Sequence, residues 1–327
     1  MQFTRPLGIV CLTAAAALWL PAGASAQGAQ NWPTKPIRFI VPTSASGTID
    51  VSARMIAKPL EAVLGQSVLV DNRPGATCTL ATDLCAHAAP DGHTFCQINI
   101  NTHSFNPYIF KKLPYDPIKD FKPVYFQLGA VQAFTAAKSL PANSVAELKD
   151  YALKTKGQLN FATLGPGSSA DLFRMWVNKQ WGSDITGVAY GGGIATAIMS
   201  NESQLTIVAV ATMNETVNQG AAKFLAFSSK ERVPQYPDVP TFTEIGFGSY
   251  PSSFWLGIAV PAGTPDAIVQ KLNAAFIEAA KDPKYQEYLR NNALESGPTS
   301  IEGFVEFMKK DRAAAETIFK LTGVQPK

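Results

Sequence analysis

The chain has 327 residues, of which 46% are hydrophobic and 16% charged. That length fits two domains of ordinary size, and the apolar content excludes a disordered chain. The formal net charge is only +3 and no basic run stands out, so the sequence offers no nucleic-acid surface.

The first 26 residues read as a secretory signal peptide rather than as part of the fold. Met1 to Arg5 is a short positive start. Residues 7–20 are apolar and contain Ala14-Ala15-Ala16-Ala17-Leu18-Trp19-Leu20. Ala24-Ser25-Ala26 is then an A-x-A cleavage site before Gln27. The competing reading is an N-terminal membrane anchor, for which the apolar stretch is short. No second run of about 18 apolar residues follows, so the mature chain reads as an exported, soluble protein.

Strand and helix patterns then alternate. Residues 37–41 read as a strand, 50–64 as a helix, 68–71 as a strand, 79–88 as a helix and 94–98 as a strand. Segments bearing Pro and Gly at 111–123 and 231–251 are places where one sheet could end and another begin. Between them, 161–163 reads as strand, 169–179 as helix, 187–190 as strand, 194–199 as helix and 205–211 as strand. Near the end, Thr264-Pro265-Asp266 opens a helix with proline at its first position. Ile268, Leu272, Ala275, Phe276 and Ala279 form its apolar stripe. Short apolar strands alternating with helices predict parallel α/β sheets covered on both faces.

Cys11 would leave with the signal peptide. Cys78, Cys85 and Cys96 remain, an odd number for an oxidising compartment. Cys78 and Cys85 lie about 10 Å apart along one helix, too far to bridge. Cys85 and Cys96 could meet in a disulfide; the other reading is three buried thiols.

Three strand–helix junctions are rich in small polar residues: Thr43-Ser44-Ala45-Ser46-Gly47-Thr48, Thr163-Leu164-Gly165-Pro166-Gly167-Ser168-Ser169, and Tyr190-Gly191-Gly192-Gly193. Ligands of open parallel sheets sit outside the carboxyl ends of strands, where helix N-termini offer unpaired N–H groups. Each loop alone also reads as an ordinary turn, which needs small residues anyway. Three of them in one exported chain favour ligand binding. Ser168 and Asp171 form a candidate capping box.

Catalytic patterns are weak. His87, His93 and His103 form no zinc spacing, and no G-x-S-x-G elbow exists. The 165–170 loop lacks the lysine of a phosphate-binding loop. Asp50 reads as a cap of its own loop, as a general base, or as the counter-charge of an amine. Cys78 sits near a helix start, where a thiolate is favoured, yet reads mainly as incidental. Tyr190, Phe254 and Trp255 lie at strand ends and read as packing or as walls for a flat ligand. No metal and no cofactor is expected.

Several motifs in order give the chain a resemblance. They are Trp32-Pro33-Thr34-Lys35-Pro36-Ile37-Arg38, Val70-Asp71-Asn72-Arg73-Pro74-Gly75-Ala76, Ala88-Ala89-Pro90-Asp91-Gly92-His93-Thr94 and Asn106-Pro107. Lys112-Leu113-Pro114-Tyr115-Asp116-Pro117, Asp120-Phe121-Lys122-Pro123-Val124 and Pro237-Asp238-Val239-Pro240-Thr241 follow. Last comes Trp255-Leu256-Gly257 running to Pro261-Ala262-Gly263-Thr264-Pro265. With these the mature chain resembles the extracytoplasmic solute-binding proteins of tripartite tricarboxylate transporters, the Bug family.

The resemblance implies a two-lobed, type II periplasmic-binding-protein fold with a ligand cleft between two Rossmann-like lobes. Residues 32–130 and 251–327 would form the first lobe and 131–250 the second. It also implies a periplasmic monomer, not an enzyme, that captures a small carboxylate for a membrane permease. A sensor that signals to a receptor would use the same fold. The carboxylate would be an amino acid, a di- or tricarboxylate, or an aromatic acid. Thr43, Ser44, Ser46, Gly47 and Asp50 would bind it from one lobe. Thr163, Gly165, Gly167 and Ser168 would bind it from the other, with Asn101, Thr102, Tyr190, Gly192 and Trp255 as further candidates.

The loops depart from the family pattern. Thr43 replaces a bulky Phe, and Gly47 is the one glycine left in the first loop. Asp171 stands where the family has a histidine, Gly191 where it often has a lysine, and Thr206 where an aspartate is common. These changes suggest a ligand with more hydrogen-bonding groups or a roomier cleft for a ring.

Overall fold

The computed structural model describes Met1 and residues 31–45, 48–190, 193–250 and 254–326. The expected signal peptide after Met1, with Cys11, lies outside the described residues, as do the site candidates Ser46, Gly47 and Gly192.

The first lobe begins with β1 (Ile37–Val41), α1 (Thr48–Leu64) and β2 (Val68–Asn72). A 3-10 turn (Ala76–Cys78), α2 (Thr79–Ala86) and β3 (Thr94–Asn99) follow. A π-helical turn (Asn101–Phe105) and α3 (Asn106–Ile109) lead to β4 (Phe121–Ala130). In α1 the apolar positions Ala53, Ile56, Ala57 and Leu60 recur at helical spacing, and all four are buried.

Val131 carries the chain into a second sheet. Its elements are β5 (Gln132–Ala137), α4 (Val145–Lys154), β6 (Asn160–Thr163) and α5 (Ser169–Trp181). Then come β7 (Thr186–Ala189), α6 (Ile194–Met199), β8 (Leu205–Ala209), α7 (Val210–Asn218) and β9 (Ala222–Phe227). The chain returns through β10 (Trp255–Pro261) and ends with α8 (Asp266–Ala279), α9 (Pro283–Asn291), β11 (Leu294–Glu295) and α10 (Ile301–Thr322).

Two sheets result, in the orders β11-β4-β10-β3-β1-β2 and β7-β6-β8-β5-β9. The strands expected from the sequence pair in parallel: β1 with β2 and β3, and β6 with β7 and β8. The sheets as wholes are mixed, not parallel. The strands that carry the chain between lobes run against their neighbours: β10 against β3 and β4, and β5 against β8 and β9.

Several boundaries differ from expectation by a residue or two, the helix expected over 79–88 ending at Ala86 for example, and two of the differences are instructive. The strand predicted over 205–211 stops at Ala209, because the N–H of Val210 turns to the carbonyl of Val131 (3.0 Å) and α7 starts there. Pro265 stands just before α8, as its cap, rather than inside it.

α1 and α8 pack on one face of the first sheet, where the Phe95 ring meets those of Phe39 and Phe276. α10 covers the other face. Gly257 makes that packing possible: a Cβ there would come within 2.2 Å of Phe304 Cζ. α10 also reaches the second lobe, packing on α5, with Lys179 Nζ on the Leu321 carbonyl at 2.8 Å.

Candidate functional site

Because β1, β2 and β3 are parallel, their carboxyl ends Val41, Asn72 and Asn99 share one edge of the first lobe. Asn72 organises this edge. Its Nδ2 donates to the Thr43 carbonyl (3.0 Å) and to Asp50 Oδ1 (2.9 Å). Arg54, one turn after Asp50, donates its Nε to both carboxylate oxygens and its Nη2 to Asn72 Oδ1. Asp50 is 2% exposed. Its charge therefore has a resident cation, and its position is fixed by the loop and helix it joins. Arg73, the next cation, is paired with Asp71 at 2.9 Å. Burial pushes the Asp71 carboxyl up, but hydrogen bonds from Arg38 and Arg73 outweigh it and hold it below the usual range. Ser44 is exposed on the same loop, and the Thr43 hydroxyl donates to the Ser44 carbonyl.

Beyond β3 the chain turns within a buried polar segment. The Asn99 side chain accepts from the N–H of Thr102, and the Thr102 hydroxyl donates to the Asn99 carbonyl at 2.9 Å. Thr102 has no exposed surface, so its hydroxyl serves the turn rather than a ligand. Asn101 is half-buried, and its Oδ1 has no partner among the described residues. Asn106 Nδ2 donates to the Thr77 carbonyl, Thr79 Oγ1 and Tyr115 OH. Cys78 takes the left-handed conformation before α2, with Asn99 Nδ2 at 3.7 Å from its sulfur. Burial pushes the Cys78 thiol up, so the helix start yields no activated thiolate. Cys85 of α2 is joined to Cys96 of β3 by a disulfide.

In the second lobe, β6, β7 and β8 likewise end together at Thr163, Ala189 and Ala209. Gly165 and Gly167 have φ of 111° and 80°, values that favour glycine, and they fold the loop into α5. The Thr163 hydroxyl donates to the Val188 carbonyl and accepts the Gly165 N–H, and Thr163 is 2% exposed. Ser168 caps α5, its Oγ accepting the Asp171 N–H. Asp171 reaches back to the Gly167 N–H (3.0 Å) and is bound by Arg174 at 2.8 Å. The first two N–H groups of α5, on Ser169 and Ala170, have no partner among the described residues. Gly187 of β7 makes room for Arg174, whose Nε would lie 2.7 Å from a Cβ there.

The second-lobe loop meets the first lobe where Gly167 lies against Ile109. Tyr190 stands at the end of β7 with its hydroxyl 3.2 Å from Ser203 Oγ. Trp255 is wholly buried between Phe304 and Phe307 of α10, so it packs the core and offers no wall to a ligand. A cavity of about 920 Å³ lies at the lobe crossing, lined by Gly129, Val131, Ser228, Arg232 and Phe254. It is separate from both loops. Asn72, Arg54 and Arg174 were missed as site-forming residues. The signal for the two arginines was their place three or four positions after each loop aspartate; Asn72 stands on another strand, 22 residues from Asp50, and no local spacing pointed to it. No group of His, Cys, Asp and Glu among the described residues is placed to hold a metal.

Two α/β lobes, joined by crossing strands, with the loop that opens α5 in one set against Ile109 of the other, define the class of two-lobed solute-binding proteins. The chain belongs to the tripartite tricarboxylate transporter family receptor family, whose model matches residues 52–324. Among solved structures it is similar to Rpa4515 from R. palustris, determined with adipate: 29% identity, TM-score 0.85, covering 91% of this chain and 100% of that one. The periplasmic binding protein BugD is similar at 27% identity and TM-score 0.84, covering 90% and 100% of the two chains. MatC from Rhodopseudomonas palustris, with bound malate, is similar at 29% identity and TM-score 0.82, covering 88% and 99%.

Proposed function

We propose that this chain is a periplasmic solute-binding protein, not an enzyme, and that it captures a small carboxylate for a membrane permease. The observation that carries this reading is the state of the charges at the two loops. Asp50 and Asp171 are each neutralised by an arginine of their own helix. Among the described residues of these two loops, neither aspartate is left uncompensated. The donors on offer are the backbone N–H groups of Ser169 and Ala170 at the start of α5 and the hydroxyl of Ser44. A helix start of this kind suits a carboxylate. The arginines on these edges, Arg54, Arg73 and Arg174, are already engaged, so backbone and hydroxyl groups rather than a cationic clamp would hold the anion.

Adipate in Rpa4515 and malate in MatC support a dicarboxylate as the first class to try. Residues 32–130 with 251–327 form one lobe in this reading and 131–250 the other, with hinges at Val131 and before Trp255. The ligand bridges the lobes and shifts their open–closed equilibrium by its greater affinity for the closed state. The A-x-A site at Ala24-Ser25-Ala26 supports export. No helix among the described residues is long and apolar enough to cross a membrane. The protein acts as a monomer in this reading.

The test is a thermal-shift screen of purified mature protein against amino acids, aliphatic di- and tricarboxylates and aromatic acids. A ligand bound only by the folded state raises the melting temperature. A carboxylate hit confirmed by calorimetry is the expected result. No carboxylate hit from a ligand-free preparation would overturn the substrate class.

A further inference from the structure

Four buried polar residues join the ligand edge of the first lobe to the strand that leaves it. Along β4 the pairing with β10 slips between Leu256, opposite Leu128, and Gly257, opposite Phe126. Gln127 is thus an extra residue, a bulge with no partner across the ladder. It stands three residues before Ala130, where β4 ends and the chain crosses lobes.

Both polar ends of Gln127 are taken inside the lobe. Its Oε1 accepts from Gln97 Nε2 at 2.7 Å, and its Nε2 donates to the Ser52 carbonyl at 3.0 Å. Gln97 Nε2 also donates to Ser52 Oγ at 3.2 Å, and the Ser52 hydroxyl donates to the Ile49 carbonyl at 2.8 Å. The Gln127 carbonyl accepts from Tyr285 OH of α9 at 3.2 Å. None of Ser52, Gln97, Gln127 and Tyr285 is more than 1% exposed.

Stability alone does not call for such a cluster, since well-packed apolar side chains fill a core as well as buried polar ones. What the cluster does is bind three elements to one another. Ser52 follows Asp50 in the helix that closes the first loop. Gln97 precedes Asn99, where the polar turn after β3 begins. Gln127 sits at the exit to the second lobe.

We propose that Gln127 is a positioning residue that couples the ligand loops to the angle between the lobes. Ligand contact that shifts α1 or the turn after β3 moves Ser52 or Gln97. The pairing of β4 with β10 slips twice, at Gln127 and at Val124; the slip at Gln127 is the nearer to the crossing and is the point that yields. The β4–β5 crossing is then the two-state element that both the ligand and the cluster bias. This rests on the ligand reading above only for its affinity measurement.

The experiment compares wild type with the double variant Gln97→Leu/Gln127→Leu, which removes both amides so that neither is left orphaned. Gln127→Met, of equal length and able to keep the Gln97–Ser52 bond, serves as second variant. Small-angle scattering of ligand-free protein reads the lobe angle, calorimetry with adipate and malate reads affinity, and thermal melting reads stability. The expected result is a larger ligand-free radius of gyration in both variants. Affinity for whichever probe binds should be at least tenfold weaker, out of proportion to any change in melting temperature. An unchanged radius and affinity, whatever the melting temperature, would overturn the coupling. If wild type binds neither probe, the dicarboxylate reading fails while the scattering comparison still decides the role of Gln127.

Discussion

Gly167 of the second lobe and Ile109 of the first are in contact so close that a Cβ on Gly167 would lie 2.9 Å from Ile109 Cδ1. Gly167 also has a φ of 80°, which alone costs an alanine about 1 kcal/mol. Gly167→Ala should therefore hold the lobes apart at this point and weaken carboxylate binding roughly tenfold, about 1.4 kcal/mol. Trimming the partner in Gly167→Ala/Ile109→Ala should recover part of the loss. Calorimetry on the two variants checks this, and equal affinity in wild type and Gly167→Ala would show that the contact does not govern closure.

Arg54 is half exposed, but the carboxylate it neutralises is not. Removing it by Arg54→Ala leaves the buried Asp50 carboxylate without its arginine, and should cost about 2 kcal/mol of stability, discounted for the exposure of the arginine. Asp50→Asn keeps the size of the side chain and removes the charge that needs Arg54. Paired with Arg54→Ala it should recover much of that stability. Urea unfolding of the three variants measures the coupling; strict additivity would mean that the pair is incidental.

The Cys85–Cys96 bond closes a short loop, with a sequence separation of 11, between α2 and β3. Cys85→Ala/Cys96→Ala should lower unfolding stability by about 3 kcal/mol. Thiol counting gives a second check. Unreduced, denatured mature protein should react with one equivalent of reagent, at Cys78, and reduced protein with three. Three equivalents before reduction would show that the bond does not form.

His103 gives a pH dependence with a definite sign. Burial, and then the nearby charge of Arg312, pushes its imidazole down to about 3 from an ordinary value of 6.5. Around the ring stand Thr102 Oγ1, at 2.9 Å from Nδ1, and the Phe121 ring. Between those two pH values the unfolded chain binds a proton that the folded one does not. Stability should thus be complete above about pH 6.5 and fall as pH drops, by at most about 1.4 kcal/mol per unit. His103→Gln should flatten that slope between about pH 6 and 4. Urea midpoints measured across this range test it, and identical slopes would remove His103 as the cause.

Much of the fold was readable because its causes are local. The strand and helix periods, the Ser168–Asp171 cap and the alternation of elements all lie within a few residues of one another, where side-chain spacing and backbone geometry decide the outcome. The ordered motifs from Trp32 to Pro265 carried the family. The loops at 43–45 and 163–168 were found for the same local reason: small polar residues at the ends of apolar strands. The roles of their side chains were not.

Asp50, read from sequence as a cap, base or counter-charge, acquired its setting from Asn72 on another strand. Thr102 and Trp255, plausible ligand contacts by type, were placed inside the lobe by packing against Asn99 and against α10. The bulge at Gln127 depends on β10, whose residues stand about 130 positions later in the chain. The sequence by itself determined which segments become strands, helices and turns rich in small polar residues, because those follow from short-range spacing. Only the tertiary structure decided which charges are cancelled, which hydroxyls are spent and where β4 bulges, because each depends on a partner brought near by the folding of distant segments.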